Sequence, residues 1–300
     1  MHANEIHTDA ALVRRLVAAQ FPEWSGRSIV PVPSAGTDNA LYRLGDELVV
    51  RLPRVAWARG QVEKEQRWLP KLALFLPLAV PQPIAQGKPG EGYPWPWSVY
   101  RWLEGENATS APIADARATA LVLAGFIMAL QQIDPTGGPS PGERNSARGE
   151  PLANRDARTR IAIAALGETL ANPNTVTEVW ETALAAPAWP GPPVWIHGDL
   201  QAGNLLMTQG RLSAVIDFGC LGVGDPACDL MTAWLFLSAA VRDEFRTALA
   251  VDDATWTRAR GWALSVGLIA LPYYRDTNPV LAGIARRAVN EAVDDFLAHG

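Results

Sequence analysis

The sequence predicts an α+β fold with a small sheet-rich first lobe and a larger, mainly helical second lobe. Short strand-like segments separated by turn residues fill most of the first third of the chain. After Glu104 and Gly105 the composition changes to an Ala- and Leu-rich pattern with helical periodicity. A length of 300 residues is above the usual size of one compact domain. We therefore expect two lobes sharing a cleft, residues 1–103 and residues 104–300.

The first lobe is predicted to hold a small antiparallel sheet and two helices. Thr8 or Asp9 can cap the first helix, which a Phe-Pro step then ends. A Gly-Asp pair predicts the hairpin turn between the second and third strands. Pro70 must shorten or kink the second helix, residues 61–73. The expected strands are 28–33, 41–44, 47–52, 84–87 and 97–103.

The second lobe is predicted to be built from helices around two short buried strands. A loop rich in Pro, Gly and Ser, residues 134–151, separates the first helix from the next. The expected helices are 114–133, 154–170, 176–186 and 230–241, and the expected strands are 194–196 and 214–216.

Composition excludes several classes of function. The net charge is -5, with 26 basic against 31 acidic residues, so the chain lacks the basic field that nucleic-acid binding needs. The two cysteines, Cys220 and Cys228, form neither a disulfide framework nor a zinc pattern. The sequence shows no secretory signal and no apolar stretch long enough for a membrane span. We expect a cytoplasmic protein with no nucleic-acid, membrane or obligate protein partner.

The strongest chemical signal is a pair of short motifs in the second lobe. His197-Gly198-Asp199 is followed by Asn204, five positions after the acid, and then by Ile216-Asp217-Phe218-Gly219. This is the order of the catalytic loop and the metal loop in protein kinases. The spacing lets one carboxylate face an incoming hydroxyl while the Asn and the second Asp grip Mg²⁺ on the nucleotide phosphates.

Together with Gly224-Asp225-Pro226 and Asp229, these motifs resemble the aminoglycoside phosphotransferase family, which has a protein-kinase-like fold. The resemblance runs from about residue 34 to residue 274. It implies that Asp199 is the catalytic base or hydroxyl-positioning acid, and that Asn204 and Asp217 are the magnesium ligands. His197 is expected to support the loop structurally. Asp229 is expected to cap a helix, to support the catalytic loop, or to do both.

The resemblance also implies a nucleotide site in the first lobe. Kinases place a Lys on the third strand and pair it with a Glu from the next helix, but here that strand ends in Arg51. An Arg can clamp phosphate with two parallel hydrogen bonds. Glu65 is its expected partner, with Glu63 as the alternative. Further nucleotide contacts are expected from the loop between the first two strands and from the segment joining the lobes: Ser34, Gly36, Thr37, Asn39, Tyr100, Arg101 and Leu103.

The sequence favours a small-molecule acceptor for the phosphate. Few residues separate Gly219 from Asp229, so the long segment that docks peptides on protein kinases is missing. The resemblance implies transfer from ATP or GTP, with Mg²⁺, to a hydroxyl of an aminoglycoside-type antibiotic. Acceptor-binding carboxylates are then expected at Asp276, Glu291 and Asp295, since aminoglycosides are polycations; the alternative is an ordinary solvated acidic face.

Other functions stay open at this point. A macrolide, or a metabolic alcohol or sugar, could be the acceptor of a kinase of the same family. A catalytically silent nucleotide-binding module is possible if Arg51 fails to replace the usual Lys. A metallophosphoesterase would need several His ligands, and three of the four histidines lie near the termini. A non-enzymatic interaction module would leave Asp199, Asn204 and Asp217 unexplained.

Overall fold

A computed structural model describes residues 5–170 and 172–299. The chain folds into two lobes, a small antiparallel sheet with helices and a larger helical body, which confirms the predicted α+β class. Residues 1–4 of the first predicted lobe, and Ala171 and Gly300 of the second, lie outside the described residues.

The first lobe is built on a five-stranded sheet in the order β1-β2-β3-β5-β4, with antiparallel neighbours throughout. Gly45 has a φ of +61°, which favours glycine, and it turns the chain between β2 and β3 as predicted. The strands are β1 (Ile29–Pro31), β2 (Asn39–Leu44), β3 (Leu48–Pro53), β4 (Pro83–Gly87) and β5 (Trp97–Arg101).

Two helices flank this sheet, α1 (Ala10–Gln20) and α2 (Arg59–Leu72). Asp9 caps α1, its side chain accepting the amide hydrogen of Leu12 at 2.7 Å. The buried face of α1 packs with the inner face of the sheet into one apolar cluster. Helix α2 continues two residues past Pro70. Its last turn joins the apolar cluster of the second lobe, so α2 connects the two bodies.

The second lobe surrounds the long buried helix α9 (Asp253–Tyr274), which packs against α10 (Pro279–His299). Its other helices are α3 (Ala116–Gln131), α4 (Asp156–Leu166), α5 (Pro173–Ala185), α6 (Ala227–Leu230), α7 (Thr232–Leu235) and α8 (Arg242–Leu249). Its short strands are β6 (Glu106–Asn107), β7 (Val194–Ile196), β8 (Leu205–Thr208), β9 (Arg211–Val215) and β10 (Gly222–Gly224).

The predicted continuous helix over residues 230–241 is wrong. The segment contains the last residue of α6 and the whole of α7, and it then leaves helical geometry at Phe236 and Ser238 before a single 3₁₀ turn. A run of apolar residues predicts that a segment is buried. A buried segment can be one continuous helix or a series of short turns packed into the core. Most of this segment is indeed buried.

The boundary after residue 103 stays a prediction. Strand β5 ends at Arg101, and β6 already pairs with β8 of the helical body.

Within the described residues, no helix is both long and apolar enough to cross a membrane.

Candidate active site

A cavity of about 980 Å³ lies between the two lobes. It is bordered by the loop between β1 and β2, by β3, by the segment after β5, and by the ends of β7, β9, α9 and α10. Of the residues predicted from the sequence, the following line it: Ser34, Gly36, Thr37, Asn39, Arg51, Glu65, Tyr100, Arg101, Leu103, Asp199, Asn204 and Asp217.

The loop that carries Asp199 is held by a buried carboxylate. Asp229 accepts the backbone amide hydrogens of His197 and Gly198, one on each oxygen and both at 2.7 Å. Burial raises the pKa of Asp229, while His197 and the two amides oppose the shift. Asp229 lies inside α6, which begins at Ala227. The expectation that Asp229 caps a helix is therefore wrong, and its geometry is that of a support for the loop.

His197 connects the same loop to the strand before Asp217. Its imidazole is buried, with Nδ1 at 3.2 Å from the backbone nitrogen of Asp199 and Nε2 at 3.0 Å from the carbonyl oxygen of Ile216. The Asp199 amide donates to Nδ1, so the ring carries its proton on Nε2 and donates it to Ile216. Both ring nitrogens are therefore occupied inside the protein, which fits a structural rather than a chemical function.

Asp199 and Asn204 are joined directly. The side-chain nitrogen of Asn204 donates to the backbone oxygen and to Oδ2 of Asp199, both at 2.8 Å. The carbonyl of Asn204 accepts from the amide of Ile216 at 2.9 Å, which brings Asp217 to the same end of the cavity. The Asp199 side chain is 30% exposed, enough to meet a ligand in the cavity.

The oxygen atoms of Asn204 and Asp217 form a donor set that fits Mg²⁺. Both bonds from Asn204 to Asp199 use its amide nitrogen, so its amide oxygen takes no part in them. Across residues 5–170 and 172–299, no group of three or more His, Cys, Asp or Glu could hold a metal ion. A cation here would take its remaining ligands from phosphate and water, as Mg²⁺ commonly does in nucleotide sites.

Arg51 of β3 forms an ion pair with Glu65 of α2. One guanidinium nitrogen, Nη1, lies 2.6 Å from Oε1 and 2.5 Å from Oε2 of Glu65. The hydroxyl of Tyr100 also donates to Glu65. Of the two glutamates considered from the sequence, Glu65 is thus the partner, and Glu63 is exposed on the same helix. Whether the pair binds phosphate stays a prediction.

The second guanidinium nitrogen of Arg51 reaches the metal loop. Nη2 lies 2.6 Å from Oδ1 of Asp217 and 3.1 Å from the side-chain oxygen of Gln61. Burial by itself lowers the pKa of Arg51, but the carboxylates of Glu65 and Asp217 outweigh it and hold the pKa well above its ordinary value. Sequence reasoning missed Gln61, although it lies one helical turn before Glu65 on the same face of α2.

Lys64, beside Glu65 in sequence, does not occupy the position of the kinase lysine. Its Nζ donates to the carbonyl oxygens of Gly219 at 2.6 Å and Leu221 at 3.1 Å. Burial lowers its pKa. Lys64 therefore fixes the backbone just after the metal loop.

The loop between β1 and β2 is tied to the second lobe over the cavity. The hydroxyl oxygens of Thr37 and Tyr274 lie 3.3 Å apart, and the side-chain nitrogen of Asn278 donates to the carbonyl of Ala35 at 2.7 Å. Asp38 of this loop also lines the cavity, and burial together with the nearby Asp217 carboxylate raises its pKa to about 7. The raised pKa of Asp38 could not be predicted from the sequence, because both causes depend on the closed arrangement of the lobes.

The segment joining the lobes has part of its backbone already bonded within the protein. The amide of Arg101 donates to Gln82 at 2.9 Å and the amide of Trp102 donates to Glu47 at 2.7 Å. These two amides are therefore not free to donate to a purine, and nucleotide contacts from Tyr100, Arg101 and Leu103 stay a prediction.

The end of the cavity formed by the second lobe is apolar. Aliphatic side chains from α7, α9 and α10 line it, a surface we call the acceptor wall: Leu235, Val266, Ala270, Leu281, Ile284 and Ala285. Among the described residues that line the cavity, the carboxylates are Asp38, Glu65, Asp199 and Asp217.

The three carboxylates predicted to bind the acceptor do not line this cavity, which corrects that expectation. Asp295 is buried against Arg242 and Arg260, and Glu291 also pairs with Arg242. Asp276 is exposed beside its neighbour Arg275. Charge alone marked these residues in the sequence. The arginines that pair with Asp295 come from α8 and α9, and Glu291 pairs both with Arg242 of α8 and with Arg287 of its own helix.

Comparison with known proteins places the chain in a family and shows which solved structures share its fold. A sequence profile described as the phosphotransferase enzyme family matches residues 29–262. No curated protein is similar enough in sequence to match the chain.

Solved structures share the fold at low sequence identity. The GDP complex of wild-type aminoglycoside 2'-phosphotransferase-IIIa is 20% identical, with a TM-score of 0.72 over 96% of this chain and 100% of that one. Macrolide 2'-phosphotransferase type I is 19% identical, with a TM-score of 0.64 over 95% and 98%. Macrolide 2'-phosphotransferase MphH from Brachybacterium faecium is 24% identical, with a TM-score of 0.58 over 95% and 98%.

Proposed function

The chain belongs to the phosphotransferase enzyme family, and we propose that it transfers the γ-phosphate of ATP or GTP to a hydroxyl group of a small-molecule antibiotic. One observation carries this proposal. Asn204 hydrogen-bonds to Asp199, and Asp217 forms an ion pair with Arg51. The proposed catalytic acid Asp199, the proposed Mg²⁺ ligands Asn204 and Asp217, and the cationic Arg51 all border one cavity.

Each of these side chains has a distinct task in the proposed reaction. Asp199 accepts a hydrogen bond from the acceptor hydroxyl and orients its oxygen toward the phosphate. Arg51, oriented by Glu65, binds phosphate oxygens of the nucleotide. Asn204 and Asp217 hold Mg²⁺, which when bound neutralises charge on the phosphates.

The nucleotide is proposed to lie under the loop between β1 and β2, with its base at Leu103. Two related structures support a purine nucleotide as donor, since one fold neighbour was solved with GDP and another with ADP. The cavity gives no preference between ATP and GTP.

A small acceptor is favoured over a protein substrate by the path of the chain after Asp217. The chain enters β10 at Gly222, and β10 pairs with β7 in the interior. This leaves only the short segment between Asp217 and Gly222, whereas a protein kinase docks its peptide on a long one.

Within this proposal, the acceptor wall favours a macrolide-type acceptor over an aminoglycoside. A polycation needs several unpaired carboxylates around it, but Glu65 and Asp217 are paired with Arg51. An aliphatic surface instead gains free energy by covering the apolar face of a large ring. Two fold neighbours are macrolide phosphotransferases by name.

The test is a phosphate-transfer assay with the purified full chain, Mg²⁺, and ATP or GTP in separate reactions. Macrolides, aminoglycosides and small alcohols are offered singly, and the product is identified by mass. We expect turnover of a macrolide that stops when Mg²⁺ is chelated. Asp199→Ala should remove turnover while nucleotide binding, measured by calorimetry, is retained.

Two other outcomes bear on the proposal. Turnover of an aminoglycoside alone would overturn the acceptor assignment but leave the reaction intact. Undiminished turnover in Asp199→Ala would overturn the mechanism.

We also propose a cytoplasmic location, supported by the two cysteines, both of which are free.

A further inference from the structure

Position 198 in the catalytic loop has no room for a side chain. Gly198 has a φ of +83°, and a Cβ atom there would lie 2.7 Å from the carbonyl oxygen of Cys220 and 3.0 Å from Cβ of Arg148. Protein kinases have an Arg at this place in the motif. Here the space is taken by Cys220 together with Arg148, an Arg that comes from a different part of the chain, the loop between α3 and α4.

The backbone at Arg148 is held on both sides by one buried residue. The amide of Arg148 donates to the carbonyl of Asn145 at 3.1 Å, and the carbonyl of Arg148 accepts from the Asn145 side chain at 3.0 Å. Ser146 and Ala147, just before Arg148, have φ values of 56° and 57°. Such backbone costs about 1 kcal/mol or more per residue, and it persists where the surroundings enforce it.

The guanidinium of Arg148 faces the catalytic carboxylate. The side chain is 11% exposed and lines the cavity, and its Nη2 lies 3.7 Å from Oδ1 of Asp199. Its Nε is buried without a hydrogen-bond partner. Asn204 holds the other carboxylate oxygen, Oδ2, at 2.8 Å. The two oxygens of Asp199 are therefore faced by two separate groups.

The other cations near this end of the cavity have different partners. Arg51 is paired with Glu65 and Asp217. Lys64 donates to backbone carbonyls. Arg148 is thus the cation whose ion-pair partner is Asp199.

We propose that Arg148 is a positioning residue for Asp199 in the phosphate transfer, an inference that rests on the proposed function. A single hydrogen bond from Asn204 leaves the carboxylate free to swing about that bond. The charge of Arg148 removes this freedom and fixes Oδ1 where it can meet the acceptor hydroxyl. Correct orientation of the acid matters because a displacement of about 1 Å can slow a reaction about 100-fold.

The experiment compares Arg148→Met with Arg144→Met in the full chain. Arg144 lies in the same loop with its side chain exposed, so its variant makes the same chemical change away from Asp199. We expect Arg148→Met to lower kcat by about 10- to 100-fold with KM for both substrates nearly unchanged. Arg148→Lys, which keeps the charge, should recover part of kcat, and Arg144→Met should match the parent protein.

Thermal midpoints and crystal structures of the variants separate positioning from folding. We expect Arg148→Met to keep its thermal midpoint while the Asp199 side chain changes rotamer. An unchanged Asp199 rotamer overturns the proposal, and so does an unchanged kcat or a rise in acceptor KM at constant kcat. If the parent protein transfers no phosphate to any compound, the proposed function fails, and the Asp199 rotamer still decides the positioning role.

Discussion

Arg51 and Glu65 join the sheet of the first lobe to helix α2 through an ion pair in which one guanidinium nitrogen contacts both carboxylate oxygens, at 2.6 and 2.5 Å. The Glu65 side chain is 2% exposed and that of Arg51 11%. A pair this buried depends on both partners: without Arg51 the buried Glu65 carboxylate loses its cation, and without Glu65 the Arg51 guanidinium keeps only the carboxylate of Asp217.

Replacing Glu65 should therefore damage both stability and catalysis. We expect Glu65→Gln to lower the free energy of unfolding by about 3 kcal/mol and to raise the KM for the nucleotide. Glu63→Gln, an exposed change on the same helix, should stay within about 0.5 kcal/mol of the parent. Chemical denaturation and steady-state kinetics measure both effects, and equal stability of the two variants would contradict the argument.

The second prediction concerns the two backbone hydrogen bonds that Asp229 accepts from the loop before Asp199. Asp229→Asn places an amide nitrogen against a backbone N–H that needs an acceptor, which costs about 1–3 kcal/mol. Because Asp199 directly follows the supported amides, kcat should fall at least about 10-fold. Asp294→Asn, an exposed change on α10, is the matched control. A normal kcat in Asp229→Asn would show that the loop keeps its shape without this carboxylate.

The acceptor wall gives a third prediction. Ile284→Ala should raise the acceptor KM by about 10-fold, since it removes apolar contact, and it should leave the nucleotide KM unchanged. Asp276→Asn should change the acceptor KM by less than about twofold, because its charge is exposed and away from the cavity. The reverse pattern would favour a polycationic acceptor.

The raised pKa of Asp38 predicts a pH dependence of stability. The unfolded chain releases this proton near the ordinary pKa of 3.8, whereas the folded protein keeps it until about pH 7. The folded state thus binds more protons in this window, so stability falls as pH rises through it. Asp38→Asn should remove this loss and stabilise the protein by at least about 1 kcal/mol above pH 7.

The measurement is the denaturant midpoint at about pH 5 and about pH 8, without nucleotide or Mg²⁺. The parent should lose stability between the two values by more than the variant does. Parallel pH curves for the two proteins would show that Asp38 ionises normally in the folded state.

Sequence pattern was sufficient to predict those features that depend on residues close together in the chain. The order of Asp199, Asn204 and Asp217 predicted that the three side chains lie together, and they do line one cavity, because one loop and one hairpin present all three. The kinase-like pairing of a strand cation with a Glu of the next helix likewise predicted Glu65 as the partner of Arg51, with Glu63 as the alternative. The strands of the first lobe followed from alternation and turn residues, with boundaries shifted by one or two positions.

Pattern failed where a residue's environment comes from distant segments. Asp295 and Glu291 carry the same charge as Asp199, but arginines of α8 and α9 neutralise them. The break in the predicted helix 230–241 could not be predicted from the sequence, because the same apolar pattern suits a continuous buried helix and short buried turns.

The sequence by itself determined the α+β class and the family, since both depend on patterns and motifs of short-range spacing, and it placed Asp199, Asn204 and Asp217 in the order from which their roles are proposed. Only the tertiary structure decided the character of the acceptor wall, the raised pKa of Asp38 and the approach of Arg148 to Asp199. Burial and charge pairing depend on distances between groups far apart in the chain, and those distances exist only once the two lobes have closed around the cavity.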